Sequence, residues 1–167
     1  SDRAHAEIVS VNTKAAAAAP GVKGVYTGED AVKAGYTKAP HTMQFTGKNG
    51  MKAQGPDRPV LAHGKVRFVG EAVALVVADT AGAAAHAADL VEVEYRDLPS
   101  VTDGEAALEP GAPQLADNVP GNLAWEAEIG DQKSVDDAFA KAAHITKAKV
   151  ISTRVSASPM EPRSCLV

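Results

Sequence analysis

The stretch VRFVGEAVALVVADTAGAAAHAADLVEVEY, residues 66–95, predicts the core of the fold. It begins with a strand pattern and turns at Gly70-Glu71. Residues 72–78 then form an apolar run of strand length, and an alanine-rich segment follows. At the end of the stretch, Val93 and Tyr95 alternate with charged residues, which is the pattern of a strand with one buried face. The stretch therefore predicts two strands, a helix and a further strand.

The alanine-rich segment predicts a short helix that packs closely on a sheet. Asp79 or Thr80 can cap its N-terminus by accepting hydrogen bonds from free backbone N–H groups. The residues that then share one helical face are Ala84, Ala87, Ala88 and Val91. Small side chains on that face let the helix lie close to the strands.

The start of this helix does not have the sequence of a phosphate-binding loop. Such a loop needs glycines at fixed spacing, as in GxGxxG or GxxxxGK[ST], so that bare backbone N–H groups can reach a phosphate. Residues 79–82 read DTAG, and the carboxylate of Asp79 would repel phosphate. We therefore expect this unit to be scaffold and not a nucleotide site.

The residues before this stretch predict two more strands and two short helices. A strand over residues 6–11 precedes a helix from Lys14 to Ala19 that Thr13 can cap, and Val22–Thr27 predicts the next strand. Gly28-Glu29-Asp30 then begins a second short helix, where acidic side chains suit the positive end of the helix dipole. The glycine- and proline-rich loop 36–59 has no periodicity, and the sequence leaves its role open.

The composition and periodicity of the sequence change near Asp97, which predicts a domain boundary between residues 96 and 97. Residues 98–122 are rich in proline and glycine and predict an extended arm that lies over a surface. Ser134 or Asp136 can cap a helix in VDDAFAKAAH, and residues 144–155 alternate as in a long strand. The predicted fold class is α+β.

Composition excludes several classes of function. The chain has 167 residues, of which 45% are hydrophobic, so it can bury a core. Its net charge of −4, with 4% aromatic residues, argues against a nucleic-acid partner. No stretch approaches the roughly 20 apolar residues of a membrane span. Cys165 is the only cysteine, which excludes a disulfide framework within the chain and favours a reducing compartment, the cytoplasm.

No residue is assigned a catalytic, cofactor-binding or metal-binding role. The five histidines have no ligand spacing, and we expect each to lie on the surface. Glu92 and Glu94 share one face of a strand, but Arg96 continues the row, so an outward polar face is favoured over a carboxylate pair. Cys165 lies in an apolar run and is predicted to be a buried structural residue. No GxSxG motif is present.

Two polar turns are the candidates for structural or domain-contact roles. Gly70 and Glu71 form the first, where Glu71 can make a structural hydrogen bond or contact a partner domain. The second is TRVSASPMEPR, in which two prolines hold a rigid corner that ion pairs can fix. Its charged residues are Arg154, Glu161 and Arg163. Because natural domain ends are usually frayed and polar, the apolar end SCLV suggests a piece of a longer polypeptide.

Four segments together resemble the start of the molybdopterin-binding large subunit of the xanthine dehydrogenase and aldehyde oxidase family, to which carbon monoxide dehydrogenase large subunits also belong. The segments are AHAEIVSVNTKAAAAAPGVKGVYTGEDA, VRFVGEAVALVVADT, AADLVEVEYRDLPSV and VDDAFAKAAHITKAKVISTRVSASPMEPR. The most specific motifs are PGVxxVxTGED, VGExVAxVVA and PMEPR. They occur in the family's order and cover nearly the whole chain.

The resemblance implies an α/β-hammerhead domain over residues 1–96. Residues 97–167 would then be a linker arm and the first helix and strands of a molybdopterin-binding domain. Family members oxidise aldehydes, purines, other heterocycles or carbon monoxide, and pass electrons through [2Fe–2S] clusters to FAD on partner subunits or domains. The implied parent is an oligomeric enzyme. Glu161 and Arg163 would fix the PMEPR corner in it.

The family's pterin-binding motifs and its catalytic glutamate lie downstream of PMEPR and have no counterpart here. The resemblance therefore implies that this chain alone binds no cofactor and is inactive. The alternative is a stand-alone interaction or small-ligand-binding module with a hammerhead-like fold, because one fold can host unrelated functions.

Overall fold

A computed structural model describes residues 1–36, 38–39 and 45–152. The chain divides into two compact units, Ser1–Glu128 and Ile129–Val167. In chain order the elements are β1 (Ala6–Asn12), α1 (Lys14–Ala18), β2 (Val22–Thr27), α2 (Gly28–Lys33), β3 (Lys65–Val66), β4 (Ala74–Ala78), α3 (Ala81–Asp89), β5 (Glu92–Asp97) and α4 (Gln132–Lys141). The predicted boundary after residue 96 stays a prediction, because these units divide the chain by packing alone.

The first unit contains two small antiparallel sheets. One has the strand order β3-β1-β5, and the other pairs β2 with β4. The strands on either side of α3 therefore belong to different sheets. Helices α1, α2 and α3 contact the β2-β4 sheet, and α1 also contacts α3. Ala16 and Ala87 are fully buried, which lets α1 and α3 approach closely.

The core of the first sheet is built from small and β-branched side chains. The buried members are Ala6, Ala62, Val66 and Val73. Ile8, Val11, Val93 and Tyr95 pack against them and are partly buried. The face of the last strand that was predicted to be buried is therefore partly buried in the structure.

Several predicted boundaries are corrected within the first unit. The strand predicted over 72–78 begins at Ala74, because Val73 is buried in the core of the other sheet. The strand predicted from Val66 onward ends at that residue. On α3, Ala88 is exposed, so the buried face is narrower than predicted.

The helix caps also differ in part from the prediction. Thr80 caps α3 by accepting a hydrogen bond from the backbone N–H of Ala83 at 3.1 Å. Thr13 precedes α1 as predicted, but its side chain makes no capping bond, and Asn12 Oδ1 instead accepts from Lys14 N at 3.2 Å.

Residues 98–128 belong to the first unit and form an arm that contacts its earlier residues; the sequence predicted such an arm over residues 98–122. Leu98 N donates to His5 O at 2.9 Å, and Lys65 Nζ lies 3.1 Å from the carboxylate of Asp117. Ala116 and Val119 are buried. Short 3₁₀ turns occur at Lys48–Gly50, Ala106–Leu108 and Pro120–Asn122.

The described part of the second unit is a helix followed by an extended segment. Asp131 caps α4 by accepting from Ser134 N at 2.8 Å. The predicted caps, Ser134 and Asp136, are wrong, because both lie inside the helix. Residues 144–152 form no strand, because no described segment pairs with them. The remainder of the predicted strand, residues 153–155, lies outside the described residues.

Candidate functional site

The Gly70–Glu71 turn is held by a nearly buried carboxylate. Glu71 is 7% exposed, and its Oε2 accepts a hydrogen bond from the backbone N–H of Arg67 at 2.5 Å. Glu71 N donates to Phe68 O at 3.2 Å, which closes the turn. Gly70 has a φ of +91°, a conformation that residues with a Cβ rarely adopt. The turn thus has little conformational freedom.

Ser1, which is distant in sequence, forms two hydrogen bonds with the backbone of the same turn. Gly70 N donates to Ser1 O at 2.8 Å, and Ser1 N donates to Glu71 O at 2.9 Å. Two long-range backbone contacts are thereby added to the local bonds.

This rigid turn displays two large apolar side chains. Phe68 is 58% exposed and Val69 is 66% exposed. Exposed single apolar residues are common, but a preorganised turn lowers the entropy cost of using them in a contact. The Glu71 side chain makes a hydrogen bond within the turn, while the structural or domain-contact role of Gly70 and Glu71 stays a prediction.

Sequence reasoning missed Phe68 and Val69 as exposed residues. It placed them in a strand that runs from Val66 to the turn at Gly70-Glu71. The available signal was the glycine that follows them, which ends the strand early. The other three predicted candidates, Arg154, Glu161 and Arg163, and also Cys165, lie outside the described residues.

The TGED motif forms the start of α2. Thr27 and Asp30 form a capping box, in which Thr27 N donates to Asp30 Oδ2 at 2.8 Å and Asp30 N donates to Thr27 Oγ1 at 3.4 Å. The bond from Thr27 N, followed by the bond from its hydroxyl, lowers the pKa of Asp30 below 3.8. Gly28 is buried, and a Cβ there would lie 2.1 Å from the carbonyl oxygen of Ala62. The motif therefore has a structural role.

Glu29 adds an ion pair to the exposed side of α2. Its Oε1 lies 2.7 Å from Lys33 Nζ. Hydrogen bonding and charge attraction across this pair lower the pKa of Glu29 and raise that of Lys33. Because both side chains are exposed, the pair suits helix stabilisation and gives no sign of acid–base catalysis.

His5 is buried, which corrects the prediction that every histidine lies on the surface. Its Nδ1 lies 2.7 Å from Pro99 O, so the ring joins the residue before β1 to the start of the arm. The surface prediction holds for His63, His86 and His144. His41 lies outside the described residues.

The carboxylates of β5 form an outward polar face, as predicted. Glu92 accepts from Asn12 Nδ2 at 2.8 Å, and Glu94 accepts from Ser10 Oγ at 3.3 Å. Arg96 pairs with Glu7. Across the described ranges, no three His, Cys, Asp or Glu side chains are grouped as a metal site would need.

Residues 1–99 match the family described as aldehyde oxidase and xanthine dehydrogenase, a/b hammerhead domain. The chain belongs to this family. The predicted family and the hammerhead fold, an α+β arrangement with small sheets, are therefore confirmed. Within the described residues, no helix is both long enough and apolar enough to cross a membrane.

Members of this family resemble the chain beyond the hammerhead match. The chain is 38% identical to the nicotine 6-hydroxylase large subunit of Paenarthrobacter nicotinovorans, across 99% of this chain and 19% of that protein. It is 34% identical to the carbon monoxide dehydrogenase large chain of Afipia carboxidovorans, across 99% of this chain and 21% of that protein. The chain thus spans about a fifth of the length of these relatives.

A solved structure shows the same relationship in three dimensions. The crystal structure of a Cu,Mo-CO dehydrogenase superposes with a TM-score of 0.70 at 35% identity. The superposition covers 86% of this chain and 18% of that one. The chain therefore resembles the N-terminal part of the large subunits of molybdenum hydroxylases.

Proposed function

We propose that this chain is the structural N-terminal part of the large subunit of a molybdenum hydroxylase. The parent would oxidise an aldehyde, a purine, another heterocycle or carbon monoxide. The observation that carries the proposal is similarity over 99% of the chain to large subunits about five times its length. The parent would be an oligomeric oxidoreductase in the cytoplasm, with [2Fe–2S] clusters and FAD on partner subunits or domains.

The described residues do not fit a molybdopterin site. A pterin with its phosphate needs several converging donors and acceptors, and buried polar atoms that lack partners would mark such a place. Among the described side chains, His5 Nε2 is the one buried polar atom without a hydrogen-bond partner. One atom cannot hold the group, so we derive no chemical step for this chain. Alone, it would be inactive.

Within the parent, we propose that the turn over residues 67–71 packs against the remainder of the large subunit. Phe68 would supply the apolar contact, and Glu71 would hold the turn in its contact geometry. The PMEPR corner, with Arg154, Glu161 and Arg163, would be a second structural element. Loss of either should impair assembly without touching a reacting group.

The first experiment identifies the native chain. An antibody raised against these 167 residues captures the protein from its source, and the mass, molybdenum, iron and flavin of the captured material are measured. We expect a chain several times longer that carries molybdenum, with iron and flavin in its complex. A native chain of about this length without metal would contradict the proposal and favour the stand-alone module.

The second experiment tests the contact role in the full-length parent. Phe68→Asp should lower the molybdenum content of the purified complex, whereas Leu108→Asp, at a residue of similar exposure (56%), should leave it unchanged. Both variants should leave the fold of the 167-residue chain intact, because both side chains are exposed. Equal molybdenum content in the two variants would show that the turn is not a contact.

A further inference from the structure

The loop over residues 45–54 is joined to the end of the arm, residues 124–128, in an arrangement that we name the clasp. The loop is a hairpin in which Ala53 N donates to Phe45 O at 2.9 Å. Two long-range backbone bonds attach the arm to it. Lys48 N donates to Glu126 O at 2.9 Å, and Gln54 N donates to Ala124 O at 2.8 Å. The arm thus lies alongside the hairpin like an added strand.

Side chains also join the two segments of the clasp. The rings of Phe45 and Trp125 contact each other, with centroids 5.6 Å apart. Lys48 Nζ lies 3.5 Å from a carboxylate oxygen of Glu126 and 3.2 Å from one of Glu128. One cation therefore holds two carboxylates of the arm.

Gly47 allows the two segments to approach. A Cβ at this position would lie 2.0 Å from Glu126 O and 2.6 Å from Trp125 Nε1. Because one of these atoms belongs to the backbone, a rotamer change cannot relieve the overlap. Any side chain at residue 47 would force the arm away from the hairpin.

The clasp lies outside the two sheets and outside the buried core. Phe45 is 52% exposed and Trp125 is 42% exposed, and no clasp residue belongs to the buried core. Elements with few buried apolar contacts and exposed hydrogen bonds open locally at a lower free-energy cost than the whole domain. The clasp has both properties.

Opening would change the length of free chain ahead of α4. Residue 128 ends the first unit, and α4 begins at Gln132. With the clasp closed, residues 129–131 lie between the clasp and α4, and they can span roughly 10 Å at most. Release of residues 124–128 would extend that reach to roughly 28 Å.

We propose that the clasp is a conformational latch that sets the length of free chain ahead of α4, and that rising ionic strength favours its open state. The salt dependence follows from Lys48, whose ion pairs are partly exposed and are therefore screened by salt. The latch is a property of this chain and does not depend on the proposed enzymatic parent.

The test uses the 167-residue chain, in which Trp125 is the only tryptophan. Gly47→Ala is compared with Gly104→Ala, because a Cβ at residue 104 meets no atom within 4 Å. Acrylamide quenching of Trp125 reports the ring contact, and a glutamate-specific protease reports access to the arm. Gly47→Ala should raise quenching about twofold, since the indole starts 42% exposed, and cleavage at residues 126 and 128 about tenfold. Gly104→Ala should match the wild type.

A second variant tests the salt response and covers a failure of Gly47→Ala to fold, which far-UV circular dichroism would reveal. In the wild type, raising NaCl from about 0.02 to about 0.5 M should speed cleavage about threefold. Lys48→Met should be cleaved faster at low salt and should lose the salt response. Wild-type cleavage that is independent of salt would overturn the salt dependence. Equal quenching and cleavage in folded Gly47→Ala and Gly104→Ala would overturn the latch.

Discussion

Helices α3 and α4 are of similar length, and each has an apolar stripe, yet only α3 buries it. In α3, Ala87 is fully buried against neighbouring elements of the first unit. In α4, Val135 is 48% exposed and Phe139 is 55% exposed. A helical pattern thus indicates which face is apolar, but the elements nearby decide whether that face is covered. Full burial of a Phe side chain stabilises a fold by about 2–3 kcal/mol, and the exposed Phe139 of α4 does not provide this stabilisation.

The largest effect should come from a long polar side chain on the buried face of α3. Ala87→Gln should destabilise the chain by about 4 kcal/mol, because the site has no space and no partner for the amide. Thermal unfolding followed by circular dichroism measures the change. Ala88→Gln, one residue away on the exposed face, is the control and should lie within about 0.5 kcal/mol of wild type. Similar losses in both variants would contradict the buried face described here.

A backbone contact in the first unit should give the next largest effect. Gly28→Ala should cost about 3 kcal/mol, because its Cβ would lie 2.1 Å from the carbonyl oxygen of Ala62 and α2 would have to shift. Gly82→Ala in α3 meets no atom within 4 Å and should be neutral or slightly stabilising. Urea unfolding of both variants measures the difference. A neutral Gly28→Ala would mean that α2 is free to move.

The buried carboxylate of the 67–71 turn should have an intermediate effect. Glu71→Ala should lower the free energy of unfolding by about 2 kcal/mol, since it leaves the N–H of Arg67 without an acceptor. Glu71→Gln keeps an oxygen acceptor at the same distance along the side chain and should lose less. If denaturant unfolding gives equal losses for the two variants, the carboxylate bond is not the stabilising feature.

A smaller and pH-dependent effect is expected at α2. The pKa of Asp30 is lowered from 3.8 because the ionised form accepts hydrogen bonds from Thr27. Its contribution to stability is therefore present above pH 3.8 and is lost as the pH falls through the lower pKa of the folded state. The melting temperature of Asp30→Asn should fall less than that of the wild type between pH 4 and about pH 2. Asp89→Asn, at an exposed residue of α3, should follow the wild type.

The smallest effect is expected in α4. Phe139→Gln should change the unfolding free energy by no more than about 0.5 kcal/mol, because the ring is already exposed. The same new residue at Ala87 is expected to be severely destabilising, so the two glutamine variants test the comparison directly. A loss at Phe139 near that of Ala87 would show that α4 buries its face.

Much of the local structure was predictable from the sequence. The alternation of apolar and charged residues predicts β5 and its inward face, and Thr80 is one of the two caps predicted for α3. The errors arose where a residue other than the expected one made the contact, or where a side chain packed in a different core. Asp131 caps α4 ahead of the two residues expected to do so, and Val73 leaves the predicted strand for another core.

The candidate site was predictable only in part. The turn glycine and Glu71 were recognised from their position between strands, and the structural bond of Glu71 is present. The exposure of Phe68 and the burial of His5 were not recognised. Both depend on contacts made by residues far away in the chain, such as the pairing of His5 with Pro99.

The sequence by itself determined most of the helices and strands of the first unit, the α+β class and the family, because hydrophobic periodicity, caps and motifs act over a few residues. Tertiary structure alone decided that the strands flanking α3 join different sheets, and that the arm closes over the loop at Gly47. Strand pairing and close backbone approach depend on residues tens of positions apart. A short-range sequence pattern cannot predict which distant segments pair, because the free energy that favours one pairing comes from the packing of the whole unit.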